Sequence, residues 1–228
     1  MTLARLWLPA AALAALSALA AGCNGSHDGC WPIPEIEREP GWEPPTAMAK
    51  WSTIAIHHGG TPGGSAAIFD KFHREVHHWE NGLGYHFVIG NGVDVPDGEV
   101  EIGNRWTSQI TGAHVGGDLN KESIGVCLVG DFSRTFPTEK QMASLHKLLR
   151  FLQARCQIPA DKVLGHCEIR PGHTICPGPN FSMPNLRAAL EAQPPVYRTF
   201  VTDAGDPPPV LAPTPRGLRP RASVRRYR

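Results

Sequence analysis

Eleven histidines and six cysteines are spread through the 228 residues, and three of them stand where a metal could be held. His57 closes a short apolar run and His166 closes another. Cys176 follows ten residues after His166, inside Thr174-Ile175-Cys176-Pro177-Gly178. Two imidazoles and a thiolate make a three-ligand zinc set whose fourth tetrahedral position stays open for water, as in catalytic sites. Zinc held this way lowers the pKa of that water from about 15.7 toward 7, which makes a nucleophile available at neutral pH. Spacing alone does not select this triple, because eleven histidines offer many others. His58 competes with His57, but strand alternation sends the two to opposite faces, so only one can point at a metal. His73 and His77 lie four apart on a helix. Glu75 is not where an H-E-x-x-H protease needs it, and the pair reads as a partly exposed helix face.

The elements that must position these residues are legible from periodicity. Ser52–Ile56 is a β-rich run that ends in His57-His58 and opens at Gly59-Gly60, a buried strand leading into a loop. Ile68, Phe69, Phe72 and Val76 recur at helical spacing between Ala66 and His78. Tyr85–Ile89, the Asn91-Gly92 pair and Val93–Val95 read as a β-hairpin. Ser123–Val129 is a nearly continuous apolar run, which predicts a central strand covered on both faces. Cys127 within it reads as a buried small hydrophobe, and His86 alternates away from Tyr85 and reads as packed. Thr138 with Gln141 forms a capping box opening a helix that carries Met142, Leu145, Leu148, Leu149 and Leu152. Lys162–His166 is a further short strand, and Pro184 suits the first turn of a last helix through Leu186 and Leu190. Strands alternating with helices predict an α/β fold, one central mixed β-sheet with helices packed on it, in a single domain (46–195).

The two flanks differ from this body. Residues 1–22 carry one charge, Arg5, followed by an Ala/Leu-rich run that fits a secretory signal peptide. Leu19-Ala20-Ala21-Gly22-Cys23 resembles a lipobox in which Cys23 would be lipidated. Ala20 stands where Leu is usual, so plain cleavage after Ala18-Leu19-Ala20 is the alternative. Either way the mature chain is expected to be exported to the cell envelope or periplasm, anchored to a membrane if Cys23 is lipidated. Residues 23–45 read as a tether or a strap over the domain, and residues 196–228 as a disordered Pro/Arg-rich tail. The tail holds seven arginines against Asp203 and Asp206, net +5, while residues 23–195 hold 14 basic and 19 acidic side chains, net −5. The basic charge is not on a folded, aromatic-bearing surface, so no nucleic acid partner is expected. The chain is expected to be a monomer.

The motifs Ile54-Ala55-Ile56-His57-His58, Gly82–Gly90 (GLGYHFVIG), Thr111–His114 (TGAH), Asn120–Gly130 (NKESIGVCLVG) and Leu164-Gly165-His166 with Thr174–Gly178 (TICPG) occur in this order. Together they resemble the type-2 N-acetylmuramoyl-L-alanine amidases, the family shared with peptidoglycan recognition proteins and phage amidase lysozymes, over roughly residues 42–190. The resemblance implies a mixed sheet with a zinc-floored groove, His57, His166 and Cys176 as zinc ligands, and Tyr85 and Thr174 as catalytic residues. His114 would line the groove as a substrate-binding residue. The implied reaction is cleavage of the amide between N-acetylmuramic acid and L-alanine of peptidoglycan. Zinc and the Thr174 hydroxyl would stabilise the oxyanion, and Tyr85 would hold water or substrate and relay a proton. Some members carry Glu where this chain has Cys127, and phage-type members also lack it, which leaves the proton-transfer group open. A non-catalytic wall-binding module and an amidase restricted to anhydro-muropeptides are the alternatives. With Cys23 and Cys176 assigned, Cys30, Cys127, Cys156 and Cys167 remain, and a Cys156–Cys167 disulfide is the pairing suggested for an exported protein. His173, near the ligand loop, reads as solvated.

Overall fold

Which face each strand residue takes decides what the sheet can build. The computed structural model describes residues 39–192. The expected leader (1–22), Cys23, Cys30 and the expected tail (196–228) lie outside the described residues. In chain order the elements are β1 (Thr53–His58), α1 (Ala66–His77), β2 (Phe87–Ile89), β3 (Val100–Ile102), α2 (Asn104–Thr107), β4 (Ser123–Leu128), α3 (Glu139–Cys156), β5 (Val163–Gly165), α4 (His166–Ile169) and α5 (Met183–Ala192). The strands form one mixed sheet in the order β3-β2-β4-β1-β5. Every pair is parallel except β2–β3. The central strand is the SIGVCL run, buried along its whole length, as its unbroken apolar character requires.

Period-two alternation splits these strands between two faces. Ile54, Ile56, Phe87, Ile89, Ile124, Val126 and Leu128 enter the larger core with Leu145, Leu148, Leu149 and Leu152 of α3 and Leu186 and Leu190 of α5. Burying each of these leucines contributes about 1.5–3 kcal/mol relative to exposure. The opposite face carries Val88, Cys127 and Val129, packed with Phe69 of α1, Leu83 and Tyr85. His57 pairs in register with Cys127, which puts it on that second, thinner face.

Both long helices begin as read. Thr138 Oγ1 accepts from Gln141 N–H (3.0 Å) and Gln141 Oε1 accepts from Thr138 N–H (3.1 Å), a complete capping box. The same Gln141 side chain donates from Nε2 to the carbonyls of Ile89 (3.1 Å) and Val129 (2.8 Å), tying α3 to the ends of β2 and β4. Gln141→Leu leaves both buried carbonyls without this donor and breaks the box. It is expected to lower unfolding free energy by about 2–4 kcal/mol, read as a shifted urea midpoint.

The structure corrects several expectations. The hairpin partner of β2 is Val100–Ile102 and not Val93–Val95. Asn91 Oδ1 accepts from Val93 N–H, and Gly92 N–H bonds to the Val95 carbonyl, so Asn-Gly starts a nested turn within a longer connection. In α1, Phe69 and His73 face the sheet while Ile68, Phe72 and Val76 are exposed. His73 is therefore buried, its Nδ1 accepting from Gly84 N–H (3.1 Å), and not a partly exposed face residue. Cys156 and Cys167 are both free thiols, so the suggested disulfide is not formed. Residues 39–45, the described end of the segment read as a tether or a strap over the domain, are mostly exposed and anchored at one residue. Trp42 is buried against Phe151, ring centroids 5.3 Å apart, and its carbonyl accepts from Trp106 Nε1 (2.7 Å).

Candidate metal centre

The carboxyl ends of parallel strands are where open α/β sheets place their ligands, and the three expected metal-binding residues meet there. His57 is the penultimate residue of β1, and His166 follows β5 directly as the first residue of α4. Cys176 lies in the loop before α5. Its backbone is pinned on both sides: Cys167 N–H donates to its carbonyl (2.7 Å), and its own N–H donates to Thr174 Oγ1 (3.1 Å). One ligand atom from each of His57, His166 and Cys176 lies within 4.8 Å of the others, and among the described residues no other His/Cys/Asp/Glu trio does so. His57 Nδ1 stands 3.7 Å from Cys176 Sγ. A tetrahedral zinc with bonds of about 2.3 Å to sulfur and about 2.0–2.1 Å to nitrogen needs a separation of about 3.6 Å, so the donor set fits this ion.

Protonation agrees with the geometry. Burial holds His57 well below its usual pKa, with His114, His166 and His58 adding to the effect. A neutral imidazole is the form that ligates. Burial also lowers His166, with Arg170 adding to it. Cys176 is pushed up to about 12 by burial, while the His58 N–H donated to its sulfur (3.4 Å) pulls the other way. A thiol so placed is a poor free nucleophile, and a divalent cation is the partner that displaces its proton. His58 turns to the other face, where its Nδ1 accepts from Phe132 N–H (3.0 Å), as alternation requires.

Tyr85 and Thr174 flank this trio. The Tyr85 ring lies 5.2 Å from that of His57, centroid to centroid. Burial first, then Cys127 and Cys176, raises its phenol well above 10, so it remains a proton donor. Its loop is braced from several sides. Leu83 N–H donates to Asp70 (2.7 Å), Arg105 Nε donates to the Leu83 carbonyl (2.5 Å), and Ala113 N–H donates to the Gly84 carbonyl (2.9 Å). The Thr174 hydroxyl oxygen accepts from Cys176 N–H, which leaves its own O–H free to donate. Thr174, His166 and an edge of His114 line a cleft of about 490 Å³ together with Trp79, Arg170 and His173. A second hollow, along Gly130–Thr135, holds none of the expected site residues.

Two contributions to the site were not visible in the sequence, those of Cys127 and Glu168. Cys127, read as an inert core residue, packs in the same cluster as Tyr85 and adds to the rise of its phenol. Glu168 accepts from Gly165 N–H (2.8 Å) and from both terminal nitrogens of Arg187 (2.8 Å each), which locks the β5–α4 junction that aims His166. His114 is buried, with both ring nitrogens hydrogen-bonded to protein, so its contact with the cleft is by carbon. His86 is packed at 0% exposure, as read.

Comparison with known proteins follows the same residues. Residues 47–179 match the amidase-2 family model, described as N-acetylmuramoyl-L-alanine amidase. The chain is 33% identical to peptidoglycan-recognition protein SC2 of Drosophila melanogaster over 145 residues, covering 59% of this chain and 73% of that protein. It is 32% identical to the endolysin of Klebsiella phage KP32 over 142 residues, 58% of this chain and 83% of that protein. The N-acetylmuramoyl-L-alanine amidase of Mus musculus is 29% identical over 137 residues, and the chain spans only 24% of its length. An endolysin N-acetylmuramoyl-L-alanine amidase of Clostridium intestinale superposes with a TM-score of 0.54 at 28% identity, covering 62% of this chain and 84% of that one. With the family model matched over more than half its length, this chain belongs to the N-acetylmuramoyl-L-alanine amidase family that includes the peptidoglycan-recognition proteins and phage endolysins.

Proposed function

We propose that the protein is a zinc-dependent peptidoglycan amidase that cleaves the amide joining N-acetylmuramic acid to the L-alanine of the stem peptide. The observation that carries this is the His57–His166–Cys176 trio, whose spacing fits zinc, with the Tyr85 ring packed beside His57 and Thr174 lining the adjoining cleft. When bound, zinc would acidify a water molecule and polarise the scissile carbonyl. The chain's own groups do the rest. Thr174 can donate its hydroxyl proton to the carbonyl oxygen as charge develops there. Tyr85, held protonated, can donate to the attacking water or the departing amide nitrogen. The cleft beside His166 and Thr174 receives the stem peptide and orients the amide.

The surrounding segments are read in the same light. A leader at residues 1–22 and a lipid on Cys23 would place the enzyme in the cell envelope, where peptidoglycan is met. The test is incubation of the full chain with intact sacculi, with and without a chelator, and mass spectrometry of what dissolves. Free stem peptides beginning at L-alanine, lost on chelation, are the expected products. Sugar-linked fragments would sink the proposed chemistry, and retention on sacculi without release would favour a wall-binding module. Release only from material bearing anhydro ends would narrow the substrate to chain termini.

A further inference from the structure

A histidine ligand serves a metal only if the nitrogen facing the ion carries no proton, so something must decide the tautomer. In His57 the nitrogen facing Cys176 is Nδ1, and Nε2 lies 3.1 Å from Nδ1 of His114. The other nitrogen of His114, Nε2, lies 3.2 Å from the carbonyl oxygen of Ser123, a group that only accepts. The His114 ring is 8% exposed and faces imidazoles and backbone instead of a carboxylate. Such an imidazole is neutral and holds one ring proton. The Ser123 carbonyl claims that proton for Nε2, so His114 Nδ1 is left as a bare acceptor. Only a donor can face it, and the single proton of neutral His57 therefore sits on Nε2. Its Nδ1 is then a free lone pair aimed at the metal site.

We propose that His114 is a positioning residue of this centre, fixing His57 in the metal-ready tautomer through the relay from Ser123 C=O to His114 to His57. The proposal rests on the zinc reading and deepens it. Outer partners that orient ligating imidazoles are usually carboxylates, carbonyls or water. Here a neutral imidazole is inserted between ligand and carbonyl.

The surroundings of the His114 ring are built for it. A Cβ on Gly112 would come within 2.3 Å of its Cδ2, and one on Gly125 within 2.6 Å, so both positions must lack a side chain for the ring to fit. Asn120 Oδ1 accepts from the N–H groups of His114 (2.9 Å) and Val115 (3.0 Å), which fixes the backbone that carries it. His86 packs edge-on at 5.6 Å, and its own Nδ1 is held by Gly125 N–H (2.9 Å). Two separate stretches thus meet in one device: Gly112-Ala113-His114 supplies the imidazole, and Ser123-Ile124-Gly125 supplies the carbonyl and the space.

The test compares the full chain with His114→Phe, which keeps a ring without an acceptor, and His114→Asn, whose side-chain oxygen can stand where Nδ1 stood. Three readouts are taken: zinc affinity by chelator competition, histidine ring tautomers by nitrogen NMR of the metal-free protein, and metal-free melting temperature. Wild type should show both His57 and His114 protonated on Nε2. His114→Phe should bind zinc about 10–100-fold more weakly with His57 spread over both tautomers, while His114→Asn retains most of the affinity and the melting temperatures stay level. A wild-type spectrum with the His114 proton on Nδ1 overturns the proposal, and so does a His114→Phe variant that binds zinc as tightly as wild type. If His114→Phe does not fold, the wild-type spectrum and the Asn variant still decide. Zinc taken up by none of the proteins, wild type included, would sink the metal reading itself and not the tautomer assignment.

Discussion

Cys176→Ala is expected to stop release of stem peptides from sacculi and to strip the protein of zinc at ordinary concentrations. Apparent zinc affinities of about 10–16 kcal/mol spread over four ligands amount to about 2.5–4 kcal/mol each, or about 10²–10³-fold in binding. The thiolate is the only anionic member of the trio, so its share falls at the upper end. It is also held in place, with the His58 amide on its sulfur and the Thr174 hydroxyl on its own N–H. Direct measurement is zinc content after dialysis, alongside sacculus digestion and circular dichroism to show that the fold survives. Cys176→Asp keeps an anionic donor and should hold zinc more tightly than the alanine variant and less tightly than wild type. Full digestion activity in a zinc-free Cys176→Ala protein would mean that the trio is not the catalytic centre.

Tyr85→Phe is expected to cut turnover by about 10²–10³-fold, the effect of removing one donor aimed at developing charge, with zinc affinity essentially unchanged. The separation follows from geometry. Tyr85 packs beside His57 without belonging to the metal trio, and its loop is braced through Leu83 and Gly84 backbone groups that phenylalanine leaves untouched. The phenol is kept protonated chiefly by burial, with Cys127 of the same packed cluster adding to the effect, and burial in turn raises Cys127 well above 9. Loss should appear in kcat, with KM little altered, because the hydroxyl acts on charge that forms only during reaction. Parallel loss of zinc from Tyr85→Phe would reassign the residue to holding the site together.

Much of this protein is written locally in its sequence. The Thr138–Gln141 capping box sets the start of α3 from four neighbouring residues, and the apolar SIGVCL run could only be a strand covered on both faces. Alternation separated His57 from His58 before any neighbour was known, because side chains one residue apart on a strand cannot share a face. Motif order brought His57, His166, Cys176, Tyr85 and Thr174 forward as a group. Tertiary structure decided what depends on partners distant in the chain. The pattern in α1 found the helix but not its buried side, since Phe69 and His73 are chosen by the sheet and Ile68, Phe72 and Val76 are left outside. Asn91-Gly92 marked a turn, but the strand that pairs with β2 starts at Val100, where the ladder opposite Ile89 becomes available. The hydrogen bond from His57 to His114 spans 57 positions, and the proton it places is fixed by the Ser123 carbonyl on another strand. No local pattern encodes such a choice. A ring proton is assigned by the donors and acceptors that surround it, and those are assembled only when the sheet closes.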